Sequence, residues 1–120
     1  MYNISMQEKM NLFNILKELS SPTKFKVMSF LWDCNHNYVS FKILRESFGV
    51  SQANLSKQLN EMEDKKIIVK IRDGRKKYFK IDNNFKILNK NIINPILNSS
   101  EAKNYKCICI SGKPKKENYE

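Results

Sequence analysis

A mainly α domain carrying one small β-hairpin is the fold class this chain predicts, on three observations. Apolar residues recur at helical spacing in five separate stretches. Serines stand where several of those stretches would begin. Near the middle of the chain, two β-rich runs flank an Asp-Gly pair. A length of 120 residues suits one compact core and not two.

Met6, Met10, Phe13, Leu16 and Leu19, with Leu12 and Ile15 beside them, predict a first amphipathic helix that stops at Ser20-Ser21-Pro22. Ser21 suits the N-cap of a second helix, because Pro22 at its first position lacks only an N–H that would be unpaired there anyway. That helix carries Phe25, Val27, Met28, Phe30, Leu31 and Trp32 and ends between Asp33 and Asn37. A third helix follows Ser40, with Ile43, Leu44 and Phe48 on its inner face. Gly49 supplies a tight turn, and Ser51 caps a fourth helix from Gln52 to about Lys65, with Leu55, Leu59 and Met62 at i, i+4 and i+7. Ile67–Ile71 and Lys76–Ile81 read as two strands around Arg72-Asp73-Gly74-Arg75. Phe85–Leu97 completes the domain as a helix with Phe85, Leu88, Ile92 and Ile96 on one side, and Pro95 either kinks it or ends it early. Two helices joined by a glycine turn and followed at once by a hairpin make a winged helix-turn-helix. Residues 1–97 form this expected domain, and residues 98–120 a polar, basic tail with a Cys-x-Cys pair.

The net charge of +10 is concentrated. Residues 1–64 are neutral overall, whereas Lys65, Lys66, Lys70, Arg72, Arg75, Lys76, Lys77 and Lys80 face only Asp73 within residues 65–80, a net of +7. Such clustering points to a polyanionic partner, double-stranded DNA in this setting, more than to a solvated lysine face. No apolar run is long enough to span a membrane, and no basic stretch leads into an apolar segment at the start. Three cysteines make no disulfide framework, so a cytoplasmic location without membrane contact is expected. No nucleophile–base pair, glycine-rich phosphate loop or carboxylate pair is present, and the sole histidine, His36, has no partner in the pattern. An enzyme is not expected, and no catalytic residue is assigned.

In helix-turn-helix proteins the start of the second helix meets base edges. Gln52, Ala53, Asn54, Ser56 and Lys57 point away from the apolar stripe near that end, and their chemistry suits adenine, guanine and the thymine methyl. Glu61, Glu63 and Asp64 sit at the far end, away from phosphates. Ser51 at the cap and Arg72, Arg75, Lys76 and Lys77 on the hairpin are the expected backbone contacts, with Lys66 and Lys80 serving equally well as solubilising charge.

The segments LSSPTKFKVMSFL (19–31) and GVSQANLSKQLNEMEDKKIIVKIRDGRKKYFKID (49–82) resemble the ArsR/SmtB family of winged-helix repressors. The first is similar to the family's Leu-x-x-Pro-Thr-Arg-x-x-Ile-Leu opening, and the second to its recognition helix and wing. Gly49, Ser51, Gln52, Ser56, Leu59, Gly74 and Tyr78 fall where the family pattern has the same residue types, and the likeness extends over about residues 7–97. It implies a transcriptional repressor, a homodimer built from the first and last helices, on an imperfect palindromic operator. The family's effector sites do not carry over. Residues 40–48 lack its Cys-x-Cys motif, and Phe85–Leu97 has no histidine. Cys34, Cys107 and Cys109 are then the candidates for a soft metal ion, arsenite or a thiol-redox signal, and equally for inert small apolar side chains. The alternative function is a winged-helix module for protein interaction or non-specific nucleic-acid binding, without an effector.

Overall fold

The structure is a computed structural model that describes residues 11–34 and 38–105. Its elements run α1 (Leu12–Leu19), α2 (Pro22–Trp32), β1 (Val39–Ser40), α3 (Phe41–Phe48), α4 (Gln52–Asp64), β2 (Ile68–Asp73), β3 (Lys76–Ile81), α5 (Asn83–Leu97) and α6 (Ser100–Lys103). Met6, Met10, His36, Cys107 and Cys109 lie outside the described residues.

Short polar side chains start all six helices. Asn11, Ser21, Ser40, Ser51, Asp82 and Ser99 each accept a hydrogen bond from the backbone N–H three residues on. Each thereby satisfies a donor that the first turn leaves unpaired. Gly49, at φ +66°, closes α3 in the left-handed region. Lys66, at φ +63°, does the same after α4, and the Ile67 N–H donates back to the Met62 carbonyl at 2.9 Å.

The sheet has three antiparallel strands in the order β1-β3-β2. The hairpin was legible, but β1 was not. Its two residues pair Val39 with Phe79 and Ser40 with Tyr78, which is too short a strand to show an alternating pattern. Asp73 pairs with Lys76, so the hairpin loop is Gly74-Arg75 and not a turn centred on Asp-Gly, with Gly74 at φ +65°.

Leu44, Leu55, Leu59, Met62, Ile67 and Val27 are fully buried at the centre, joined by Trp32, Phe79 and Phe85. Trp32 anchors α5. Its Nε1–H donates to Asn94 Oδ1 at 2.6 Å, its carbonyl accepts from Lys86 Nζ at 2.6 Å, and its ring meets Phe85 edge-on.

Two helix faces differ from expectation. On α1, Ile15 and Glu18 are buried while Phe13 is 81% exposed and Leu12 and Leu16 are about half exposed. On α5, the buried stripe is Phe85, Asn89, Ile93 and Leu97, so Leu88 turns outward and Ile92 and Ile96 are half-buried. Each true stripe contains a polar residue, Glu18 or Asn89, which an apolar pattern passes over. Asn89 is half satisfied: its Nδ2 donates to the Phe85 carbonyl at 3.0 Å within the helix, while its Oδ1 is buried with no hydrogen-bond partner among the described residues. Pro95 lies inside α5, which continues to Leu97. Beyond it, α6 packs on α2 with Ala102 fully buried, and Tyr105 meets Phe25 edge-on. The segment after Leu97, expected to be a polar tail, therefore opens with structured residues.

Candidate nucleic-acid interface

Thirteen residues of α4 divide cleanly among its surroundings. Leu55, Leu59 and Met62 enter the core. Asn54 and Glu61 turn toward α2, where Asn54 Nδ2 donates to Thr23 Oγ1 at 3.3 Å and Glu61 Oε1 accepts from Lys24 Nζ at 2.8 Å; Gln58 lies between them and donates to Asn54 Oδ1. Gln52 and Ser56 turn toward the hairpin, as does Glu63, which pairs with Lys70 of β2 at 3.3 Å. Ala53, Lys57, Asn60 and Asp64 are left exposed. At 3.6 residues per turn these are four adjacent sectors of one cylinder.

The hairpin-facing sector opens into a cleft. Ser40, Phe41 and Lys42 from the start of α3, Gln52 and Ser56 from α4, and Arg75, Lys76 and Lys77 from the hairpin line it. The lining holds four cations and no carboxylate. Lys77 Nζ stands 5.8 Å from the centre of the Phe41 ring, close enough for the ring face to hold the charge over the cleft wall. Arg72, opposite Lys77 in the hairpin register, is exposed beside the cleft.

Folding sorts the basic run of residues 65–80. Lys65 donates to Glu18 and Lys70 is bound to Glu63, so these two charges are neutralised within the domain, while Lys80 lies 5.4 Å from the Tyr38 ring centre. Arg72, Arg75, Lys76 and Lys77 remain grouped at the hairpin end. The acidic residues expected at the far end of α4 are held there by cations: Glu61 by Lys24 and Glu63 by Lys70. Burial by itself would lower the pKa of Lys24; the Glu61 and Glu18 carboxylates outweigh it and hold the ammonium above its ordinary value. The hydrogen bond from Lys24 in turn holds Glu61 below its ordinary value.

The structure thus brings Gln52, Ser56, Arg75, Lys76 and Lys77 together and leaves Ala53 and Lys57 on the adjoining open sector. Ser51 spends its hydroxyl on the Asn54 N–H at 3.1 Å. Asn54 departs from expectation, because its side chain is half-buried and committed to Thr23 and Gln58. Lys42 and Asn60 were not anticipated. Lys42 enters through the packing of α3 against the sheet, which no local pattern reveals, whereas Asn60 could have been found by following the Ala53–Lys57 sector one turn further. Cys34 is half-buried and packed against the core. Among the described residues, no group of three or more His, Cys, Asp or Glu side chains could hold a metal ion.

A helix-turn-helix formed by α3 and α4, with a β-hairpin laid against it, matches a solved structure. HlyU from Vibrio cholerae N16961 superposes with a TM-score of 0.53 at 16% identity, over 70% of this chain and 99% of that one. The fold is a winged helix. At that identity the likeness concerns architecture alone. No family model and no curated protein matches the sequence. In winged-helix terms α4 is the second helix of the helix-turn-helix, β2 and β3 form the wing, and the cleft is the angle between them. Among the described residues, no helix is long and apolar enough to cross a membrane.

Proposed function

We propose that this winged helix is a sequence-specific DNA-binding transcriptional regulator of the ArsR/SmtB type, a homodimeric repressor on an imperfect palindromic operator. The observation that carries this reading is the shared cleft: Gln52 and Ser56 of the recognition helix stand across from Arg75, Lys76 and Lys77 of the wing. Amide and hydroxyl groups read base edges in a major groove, while cations at the flank hold phosphates or enter the minor groove. Gln52, Ala53, Ser56 and Lys57 take the base-reading role and Arg72, Arg75, Lys76 and Lys77 the backbone role. Ser51 supports α4 from its cap.

Pairing of two copies through α1 and α5 fits their outward apolar side chains. Leu12, Phe13 and Leu16 on α1, and Ile87 and Leu88 on α5, are exposed, with Ile87 at 64%. Covering them removes apolar area from water and gives the two-fold symmetry that a palindrome requires.

Release by a soft metal ion, arsenite or thiol oxidation would act through Cys34, Cys107 and Cys109. Footprinting on the DNA upstream of the protein's own gene tests the whole reading. Protection of a palindromic segment is expected, and equal binding to scrambled DNA favours a non-specific nucleic-acid module. Repeating the footprint with Zn(II), Cd(II), arsenite and an oxidant tests the cysteines, and protection that persists under all four removes them from sensing.

A further inference from the structure

The first turn of α2 grips α4 at two points. Thr23 Oγ1 accepts from Asn54 near the start of the recognition helix, and the next residue, Lys24, binds Glu61 near its other end. Asn54 and Glu61 are seven residues apart and so share one side of α4. Two holds along one side add to the packing of Leu55, Leu59 and Met62 in resisting rotation about the helix axis.

The grip is itself held by α1. Glu18 is buried, 2% exposed, between Lys24, whose Nζ is 3.2 Å from Oε1, and Lys65, which immediately follows α4 and donates to Oε2. An isolated carboxylate at this depth would be costly, so its position is dictated by the two ammonium groups. The return from such a buried ion group is orientation more than stability. Three helices thus meet at one charged junction, and α4 enters it twice, through Glu61 and through Lys65.

We propose that Glu18, Thr23 and Lys24 are positioning residues for DNA recognition. They form a clamp that fixes the rotation of α4 and so decides which side chains it presents beside the wing. The proposal rests on the reading of α4 as the base-reading helix. None of the three lines the cleft. Replacing them should therefore impair discrimination among sequences while leaving the phosphate contacts intact.

The test compares full-length wild type with Thr23→Val, Thr23→Ser and Glu18→Gln. Fluorescence anisotropy on the upstream duplex and on a scrambled duplex, each across a salt series, gives the preference for the specific sequence. Thr23→Val and Glu18→Gln should each reduce that preference by about 2- to 30-fold, with the scrambled-DNA affinity and the salt slope unchanged. Thr23→Ser, which keeps the accepting hydroxyl, should restore it. Wild-type preference in Thr23→Val, or a loss in Thr23→Ser equal to that in Thr23→Val, overturns the clamp, and the Thr23 pair decides the matter should Glu18→Gln fail to fold. Amide hydrogen exchange across Gln52–Asp64 in the free protein separates this proposal from the regulator reading. A wild type without sequence preference sinks that reading, whereas unchanged α4 protection in Thr23→Val sinks the clamp whatever the DNA result.

Discussion

Gln52 and Arg75 line the same cleft, although the chain between them builds all of α4 and β2. Gln52 sits in the first turn of α4 and Arg75 in the hairpin loop. Gln52 can both donate to and accept from a base edge, whereas the Arg75 guanidinium only donates and adds the positive charge that draws phosphates. That division of labour gives each a separate experimental signature.

Arg75→Ala and Arg72→Ala should weaken binding to all duplexes alike. For every phosphate that is no longer neutralised, the slope of log affinity against log salt falls by about one. Mobility-shift titrations from low to moderate salt measure this, and an unchanged slope in both variants removes the wing tip from the interface.

Gln52→Ala should instead relax the choice of base at one position of each half-site, at a cost of about 1–3 kcal/mol for the preferred sequence. Selection from a randomised operator library reads this directly. A uniform loss across the library would assign Gln52 to the backbone.

Ser51 tests the structural side of the site. Ser51→Ala leaves the Asn54 N–H without its acceptor and should cost about 1 kcal/mol of stability in a urea melt. Lys66→Gly should act in the opposite sense. Lys66 holds φ +63°, where a Cβ is penalised, so glycine should raise stability by up to about 1 kcal/mol without altering DNA binding.

What could be read from the chain depended on whether burial followed apolarity. On α4 it did: Leu55, Leu59 and Met62 are buried, with Ser51 capping as its position suggested. On α1 it did not: Leu12, Phe13, Ile15, Leu16 and Leu19 share one side of the helix, yet Leu12, Phe13 and Leu16 are exposed while the charged Glu18, at the edge of that side, takes an inner place beside Ile15. Only the positions of Lys24 and Lys65, brought in from two other segments, explain that burial. Asn54 was hidden for a related reason. Its amide has the same chemistry as a base reader, and its engagement with Thr23 is a tertiary fact.

The Lys24–Glu61 pair predicts a pH effect with a definite sign. Glu61 is held below its ordinary 4.5, so its contribution to stability is fully present above about that pH and is lost as pH falls through the depressed folded value. Lys24 is held above 10.5, so its contribution is present below that value and is lost only at more alkaline pH. Urea melts of wild type and Glu61→Gln should therefore differ at pH 7 and converge in acid. A gap that stayed constant down to pH 3 would contradict the pairing.

Site-directed cross-linking probes the joint placement of helix and wing most directly. Gln52→Cys and Arg75→Cys, each carrying a thiol-linked photo-cross-linker, are irradiated separately on the upstream duplex. Both should attach to DNA within one half-site, less than about one helical turn (~10 base pairs) apart, with Gln52→Cys at bases and Arg75→Cys at the flanking backbone. Attachment by only one of the two positions, or by neither, would contradict a recognition helix and wing that face the same duplex.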